Sequence, residues 1–271
     1  MEGPELSPRL GVLAVLIGIQ ISYLISVGPY RNRFRAHRAV PMARQLAFAQ
    51  GVLTLLLALA SPLDVLADQY LFTAHMLQHL LLTLVAAPLL LAGMPDWLLR
   101  ELLTALKLLG LARRLRHPLL AFFLFNLVFS LAHVPGIYEL ALSNPALHAL
   151  EHLVFLATAL VMWMPILSPL PEVPPYPPLG QLLYLFLQTL PASLVGALLS
   201  HASAPYYPTY VLAPRLVGLS PLEDQQLGGL LMWVGSGVYF LIATAVVFFI
   251  WASREEAASR RPAGGIVRGI S

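Results

Sequence analysis

Apolar stretches of about 20 residues alternate with short polar or proline-rich joints along this chain. The pattern predicts helices at about 10–29, 44–60, 70–92, 117–134, 146–165, 179–201 and 226–251. At 1.5 Å rise per residue, each is about long enough to cross the hydrocarbon of a bilayer. The joints carry helix-stopping and helix-starting signals. PLPEVPPYPPLG, ending at Gly180, is too rich in proline to be helical. Ser61-Pro-Leu-Asp64 and Ser220-Pro-Leu-Glu223 both read as helix starts: a capping serine, a proline at the first helical position and an acid in the first turn. Asn144 followed by Pro145 reads the same way. The expected fold is all-α: a polytopic membrane protein built as a seven-transmembrane helix bundle, one membrane domain over residues 1–271.

Composition agrees. The chain is 58% hydrophobic and 11% charged, with a mean hydropathy of +0.77, whereas soluble domains carry about 25% charged residues. The absence of cysteine excludes disulfides, thiolate metal sites and cysteine nucleophiles. The first apolar run follows two acids and one arginine and precedes five arginines, so it reads as a retained helix and not a cleaved leader. Charge sets the expected orientation. Arg31, Arg33, Arg35, Arg38 and Arg44 follow the first span. Arg100, Lys107, Arg113, Arg114 and Arg116 follow the third. Arg254, Arg260, Arg261 and Arg268 follow the seventh. These are 14 of the 16 basic residues, and an odd number of spans places them on one face. That face is expected to be cytoplasmic, which puts the N-terminus outside and the C-terminus inside.

The histidines divide on the same topology. His37 and His117 fall in the basic loops and carry no assigned role. The other six, His75, His79, His133, His148, His152 and His201, fall at outer ends of spans. Residues four apart share a helix face, so His75 with His79 and His148 with His152 form two facing pairs, with Glu151 beside the second. Asn126, Ser130 and His133 share one side of the fourth span. A polar group in hydrocarbon needs a partner, so these faces should meet inside the bundle. A single intramembrane histidine often serves only as a hydrogen-bonded packing residue. Two pairs and His133 at one level point instead to a metal or cofactor site, and imidazole suits copper, zinc, iron and nickel. Ligation needs neutral imidazole, so occupancy should fall below about pH 6. Met76 is 100° from His75 on the helical wheel and reads as a packing residue, or as a thioether ligand. Glu151 and Asp224 read either as partners that orient ring N–H groups or as supports for a helix N-terminus. Tyr206, Tyr207 and Tyr210 read as an outer aromatic belt, Trp163 as a packing or interface anchor, and Gly228 and Gly229 as sites of close helix contact. No phosphate-binding glycine loop, Ser-His-Asp order or nucleic-acid motif occurs.

Four blocks in order resemble the seven-transmembrane CtaG family of assembly factors for heme–copper cytochrome c oxidase. They are HMLQHLLLTLVAAPLLLAGMP (75–95), AHVPGIYELAL (132–142), HALEHLVFLATALVMWMPIL (148–167) and SPLEDQQLGGLLMWV (220–234). The resemblance covers about residues 45–250. It implies a non-enzymatic role in supplying or inserting copper during oxidase maturation. The implied partners are an oxidase subunit or a periplasmic or extracellular copper carrier, and the implied location is the bacterial cytoplasmic membrane. Carried over, the motifs fall on His75, Met76, Gln78 and His79; on His133; on His148, Glu151 and His152; and on Asp224, Gln225, Gly228 and Gly229. The expected metal ligands are His75, His79, His133, His148 and His152. Met76, Gln78, Glu151, His201 and Asp224 are auxiliary, His201 on topology alone. Zinc is the alternative metal. The alternative functions are a zinc-dependent intramembrane hydrolase on the same histidines and a heme- or quinone-binding membrane protein.

Overall fold

Local signals place the helix ends. In a computed structural model, which describes residues 6–34, 39–115 and 117–260, the Ser61 hydroxyl accepts from the Leu63 amide. Asn144 accepts from the Ala146 and Leu147 amides. Ser220 and Glu223 form a reciprocal capping box. Each satisfies backbone donors that a helix start leaves open. The described residues form helices joined by turns and loops, without strands. We label the helices α1 (Leu6–Val27), α2 (Met42–Leu59), α3 (Pro62–Gln69), α4 (Phe72–Gly93), α5 (Asp96–Ala105) and α6 (Leu109–Leu115). The rest are α7 (Pro118–Ala132), α8 (Pro135–Ser143), α9 (Pro145–Leu167), α10 (Pro178–Ser200), α11 (Pro208–Leu212) and α12 (Pro221–Ser259). Six of them, α1, α2, α4, α9, α10 and α12, are long and apolar enough to cross a membrane. A seventh crossing is formed if α6 and α7, bent by 95° at their junction, count as one span. The chain is therefore a polytopic, all-helical membrane protein. His37, Arg35, Arg38, Arg116, Arg261 and Arg268 lie outside the described residues.

α4 is the central helix. Over an 18-residue apolar stretch it is 61% buried, against 17% for such a stretch of α1 and 11% for that of α12. It packs on α2, α3, α9 and α12. Its register widens to a π-helical turn over Leu81–Ala86, just after His79. In that i→i+5 register the Thr83 carbonyl would accept from residue 88, but Pro88 has no N–H. The Trp163 indole of α9 donates to it instead, at 2.9 Å. Trp163 is thus a buried pin between α9 and α4, the packing role of the two that the sequence suggested.

The outer faces of the spans are apolar and the inner faces carry the polar groups. Leu119, Phe123, Leu127 and Leu131 form an exposed stripe on α7, while Asn126 on its other side donates to Gln188 Oε1 of α10 at 2.7 Å. Where α10 crosses α12, backbones nearly touch. A Cβ on Gly196 would stand 2.6 Å from the Gly229 carbonyl oxygen, and one on Gly229 would stand 2.7 Å from the Ser200 amide. Both positions require glycine, as close membrane helix packing predicts.

The two ends of the bundle differ. α4 and α9 start, and α7 and α10 finish, at the end that carries the histidines. There the short helices α3, α8 and α11 bring in Ala67, Tyr138 and Tyr210, all buried. At the opposite end Arg100 of α5 makes a two-pronged ion pair with Glu172 of the proline-rich joint, at 2.7 and 3.2 Å.

Candidate metal centre

α4 and α9 each turn one pair of histidines inward, and the rings meet. Within α4 the Nε2 atoms of His75 and His79 are 2.9 Å apart. On α9 the His148 and His152 rings are 4.3 Å apart between centres. Across the helices His75 lies 5.3 Å from His148 and 6.2 Å from His152, and His79 lies 5.7 Å from both His152 and His133. One ligand nitrogen each from His75, His79 and His152 falls within 4.8 Å of the others. Phe155 packs on the His79 ring at 4.5 Å and is fully buried, so the floor of the cluster is apolar.

Hydrogen bonds decide which nitrogens are available. The Tyr210 hydroxyl lies 2.7 Å from the Ala67 carbonyl, 2.7 Å from the Tyr138 hydroxyl and 3.1 Å from His75 Nδ1. Burial pushes the pKa of both phenols well up, so both keep their protons. A carbonyl can only accept, so the single Tyr210 proton goes to Ala67. The Tyr210 oxygen must then accept from Tyr138 and from His75 Nδ1–H, which leaves a lone pair on His75 Nε2. His133 is fixed in the same sense: its Nδ1 donates to the Phe129 carbonyl at 2.6 Å. His133 Nε2, His152 Nε2 and His79 Nδ1 are buried without any partner. Buried polar atoms are rarely left so. His148 is different. Its Nε2 faces Asp68 Oδ1 at 3.0 Å and its Nδ1 faces Glu151 Oε2 at 3.2 Å, so carboxylates occupy both ring positions.

A family-level comparison matches residues 21–254 to the cytochrome c oxidase caa3 assembly factor family, Caa3_CtaG. The chain belongs to this family. Comparison with curated proteins finds no match, and comparison with solved structures finds none. In this Caa3_CtaG chain the matched region contains every span from α2 to α10, the last turns of α1 and most of α12, hence the whole histidine cluster.

The structure brings His75, His79, His133, His148 and His152 together, with Glu151 on His148. The other auxiliary residues go elsewhere. Met76 packs on α12, its Cγ 3.2 Å from where a Gly228 Cβ would stand. Gln78 points to α2 and α3, donating to the Ala58 carbonyl at 2.9 Å and to Asp64 at 3.1 Å. Asp224 orients no imidazole: its carboxylate accepts from the Phe72 and Thr73 amides at 2.7 and 3.1 Å. It therefore caps the N-terminus of α4 from α12, across 152 positions of sequence. His201 is exposed, bonded to the Ala197 carbonyl and 5.7 Å from the Trp233 ring, away from the cluster. Of the expected aromatic belt only Tyr206 is exposed; Tyr210 binds His75 and Tyr207 donates to the His133 carbonyl at 2.8 Å. Sequence reasoning missed Asp68, Tyr138 and Tyr210 as parts of this site. Asp68 did carry a signal: it lies four residues after Asp64 and just before the histidine helix, in SPLDVLADQY.

Asp64 and Asp68 line a groove of about 690 Å³ beside the cluster. Val12, Val15 and Leu16 of α1 form one wall, and His148, His152 and Leu156 of α9 form another. Arg9 lies over Asp64 at 3.2 Å. Burial, and next the nearby Asp68 charge, raise the Asp64 pKa, while Arg9 pulls it down.

Proposed function

We propose that this protein holds copper at its histidine cluster and supplies it during assembly of cytochrome c oxidase. The family supports the assembly role. The observation that carries the metal is the set of buried ring nitrogens without a partner, His133 Nε2 and His152 Nε2, beside the His75–His79 Nε2 pair at 2.9 Å. Two nitrogens bound to one ion at about 2.0 Å each stand about 3 Å apart, so the pair fits shared ligation. His75, His79 and His152 would hold the ion, with His133 next to them. Four imidazoles in an apolar pocket suit copper and also zinc. A buried ion would be sheltered from bulk water by Phe155 and the α8 and α11 tyrosines.

The hydrolase alternative is less well supported. A metal-activated water needs a carboxylate free to take its proton. Here one oxygen of each nearby carboxylate, Asp68 Oδ1 and Glu151 Oε2, is engaged with His148, which leaves the buried Glu151 Oε1 as the unpartnered one.

The test is metal analysis of the full chain, purified without added metal and then loaded with copper or with zinc. We expect copper to compete zinc out of the wild type, and His75→Ala/His79→Ala to lower copper affinity by at least about a hundredfold. Equal copper retention by the two proteins sinks the proposal.

A further inference from the structure

Two overlapping ligand sets meet at His75. The inner one is His75, His79 and His152, all buried. The outer one is Asp68, His75 and His148, whose ligand atoms also lie within 4.8 Å of one another. Their surroundings differ. Asp68 is part-exposed, and it and His148 line the 690 Å³ groove between α1 and α9; of the inner set only His152 reaches this groove, and His75 and His79 lie behind it. A cation in the groove therefore reaches Asp68, His148 and His152 before it reaches His75 and His79.

The donor types differ in the same order. The outer set offers a carboxylate oxygen, and Glu151 stands behind His148 as a second carboxylate. The inner set offers nitrogen only. An anionic, part-hydrated position captures a divalent cation quickly and releases it readily; buried imidazoles hold a borderline metal more tightly. A shared ligand lets an ion pass from one set to the other without ever losing all its protein bonds.

We propose that Asp68, His148 and His75 form a second, outer cation position, through which the metal is loaded into the inner histidine site, with His75 common to both. This rests on the reading of the inner cluster as a metal site. Asp68 is then a loading ligand and not part of the final coordination. The route runs sideways from the α1–α9 groove, where the Arg9–Asp64 ion pair holds the end of α1 against α3.

The experiment mixes the full-length apo-protein in lipid nanodiscs with Cu(II) ions alone and follows the copper by rapid-freeze EPR. In the wild type we expect an early signal with mixed oxygen and nitrogen ligation that converts to an all-nitrogen signal. Asp68→Asn preserves size and a hydrogen-bond acceptor. It should abolish the early signal and slow loading by about tenfold or more, with the final all-nitrogen spectrum and stoichiometry unchanged. Asp68→Glu should restore the early signal. His79→Ala should form the early signal and stop there. Asp64→Asn, which removes a charge from the same groove but no ligand, should leave the early signal in place.

Wild-type loading by Asp68→Asn overturns the outer position, and so does equal slowing in Asp64→Asn, which would mean a general field and not a site. Loss of the final spectrum in Asp68→Asn also overturns it, because Asp68 would then belong to the inner site. Absence of histidine-dependent copper in the wild type would instead overturn the metal reading itself, a result distinct from these.

Discussion

At the scale of single residues, Tyr210 decides what His75 can do. Its hydroxyl gives its proton to Ala67 and accepts from His75 Nδ1, so the lone pair of His75 is directed at His79 and the cluster. We expect Tyr210→Phe to leave the Ala67 carbonyl and the His75 ring N–H unpaired. Metal affinity should fall about 10- to 100-fold, as when other partners that orient ligand histidines are removed, and a competitive chelator titration would measure it. An unchanged affinity would mean that Tyr210 does not set the tautomer. Tyr210 could not be read as part of this site from the sequence, because 135 positions separate it from His75 and its local context is an aromatic-rich joint. The histidine pairs were legible because four-residue spacing is a local property of a helix. The roles of Met76, Gln78 and Asp224 were not, since which neighbour each one meets depends on packing.

At the scale of elements, α4 combines a membrane span with a local fault. The π turn after His79 and Pro88 together free the Thr83 carbonyl, and Trp163 satisfies it. Removing the indole donor in Trp163→Phe leaves a buried carbonyl unpaired and should destabilise by about 1–3 kcal/mol. Pro88→Ala supplies a backbone N–H in the same place. In that background Trp163→Phe should cost measurably less, and a double-mutant cycle on thermal unfolding in detergent checks this coupling. Additive effects would show that the two donors do not serve one carbonyl. The span itself was legible from its run of apolar residues, and Pro88 from its letter. The widened register was not, because it arises where α9 offers a donor in trans.

At the scale of the whole molecule, the ion pair of Arg100 with Glu172 ties the α5–α7 side of the bundle to the proline-rich joint, at the end opposite the histidines. The Arg100 guanidinium holds the Glu172 carboxyl below its ordinary value of 4.5. A carboxyl whose folded pKa is depressed stabilises the fold above its unfolded pKa, and that contribution is lost as pH falls through the folded value. Glu172→Gln should therefore melt slightly earlier than wild type at pH 6, and the difference should vanish toward pH 3. The pair is part-exposed, so the effect should also shrink in high salt. A difference that persists at pH 3 would assign it to packing.

By itself the sequence determined that this is an all-helical, polytopic membrane chain of the Caa3_CtaG family, with polar residues gathered at one end of its spans. It also determined where several helices start. The fold class and the helix starts follow from hydrophobic run length, helical periodicity and capping residues, all of which act over a few neighbours; the family follows from the four motif blocks. The tertiary structure alone decided which atoms meet. α8 and α11 read as joints in the sequence, and α3 only as a helix start, yet they bring Tyr138, Tyr210 and Asp68 onto the histidines. His201 shares their end of the bundle but is turned toward Trp233. A buried polar group takes whichever partner packing brings within about 3 Å, and that choice is made between segments far apart in the chain.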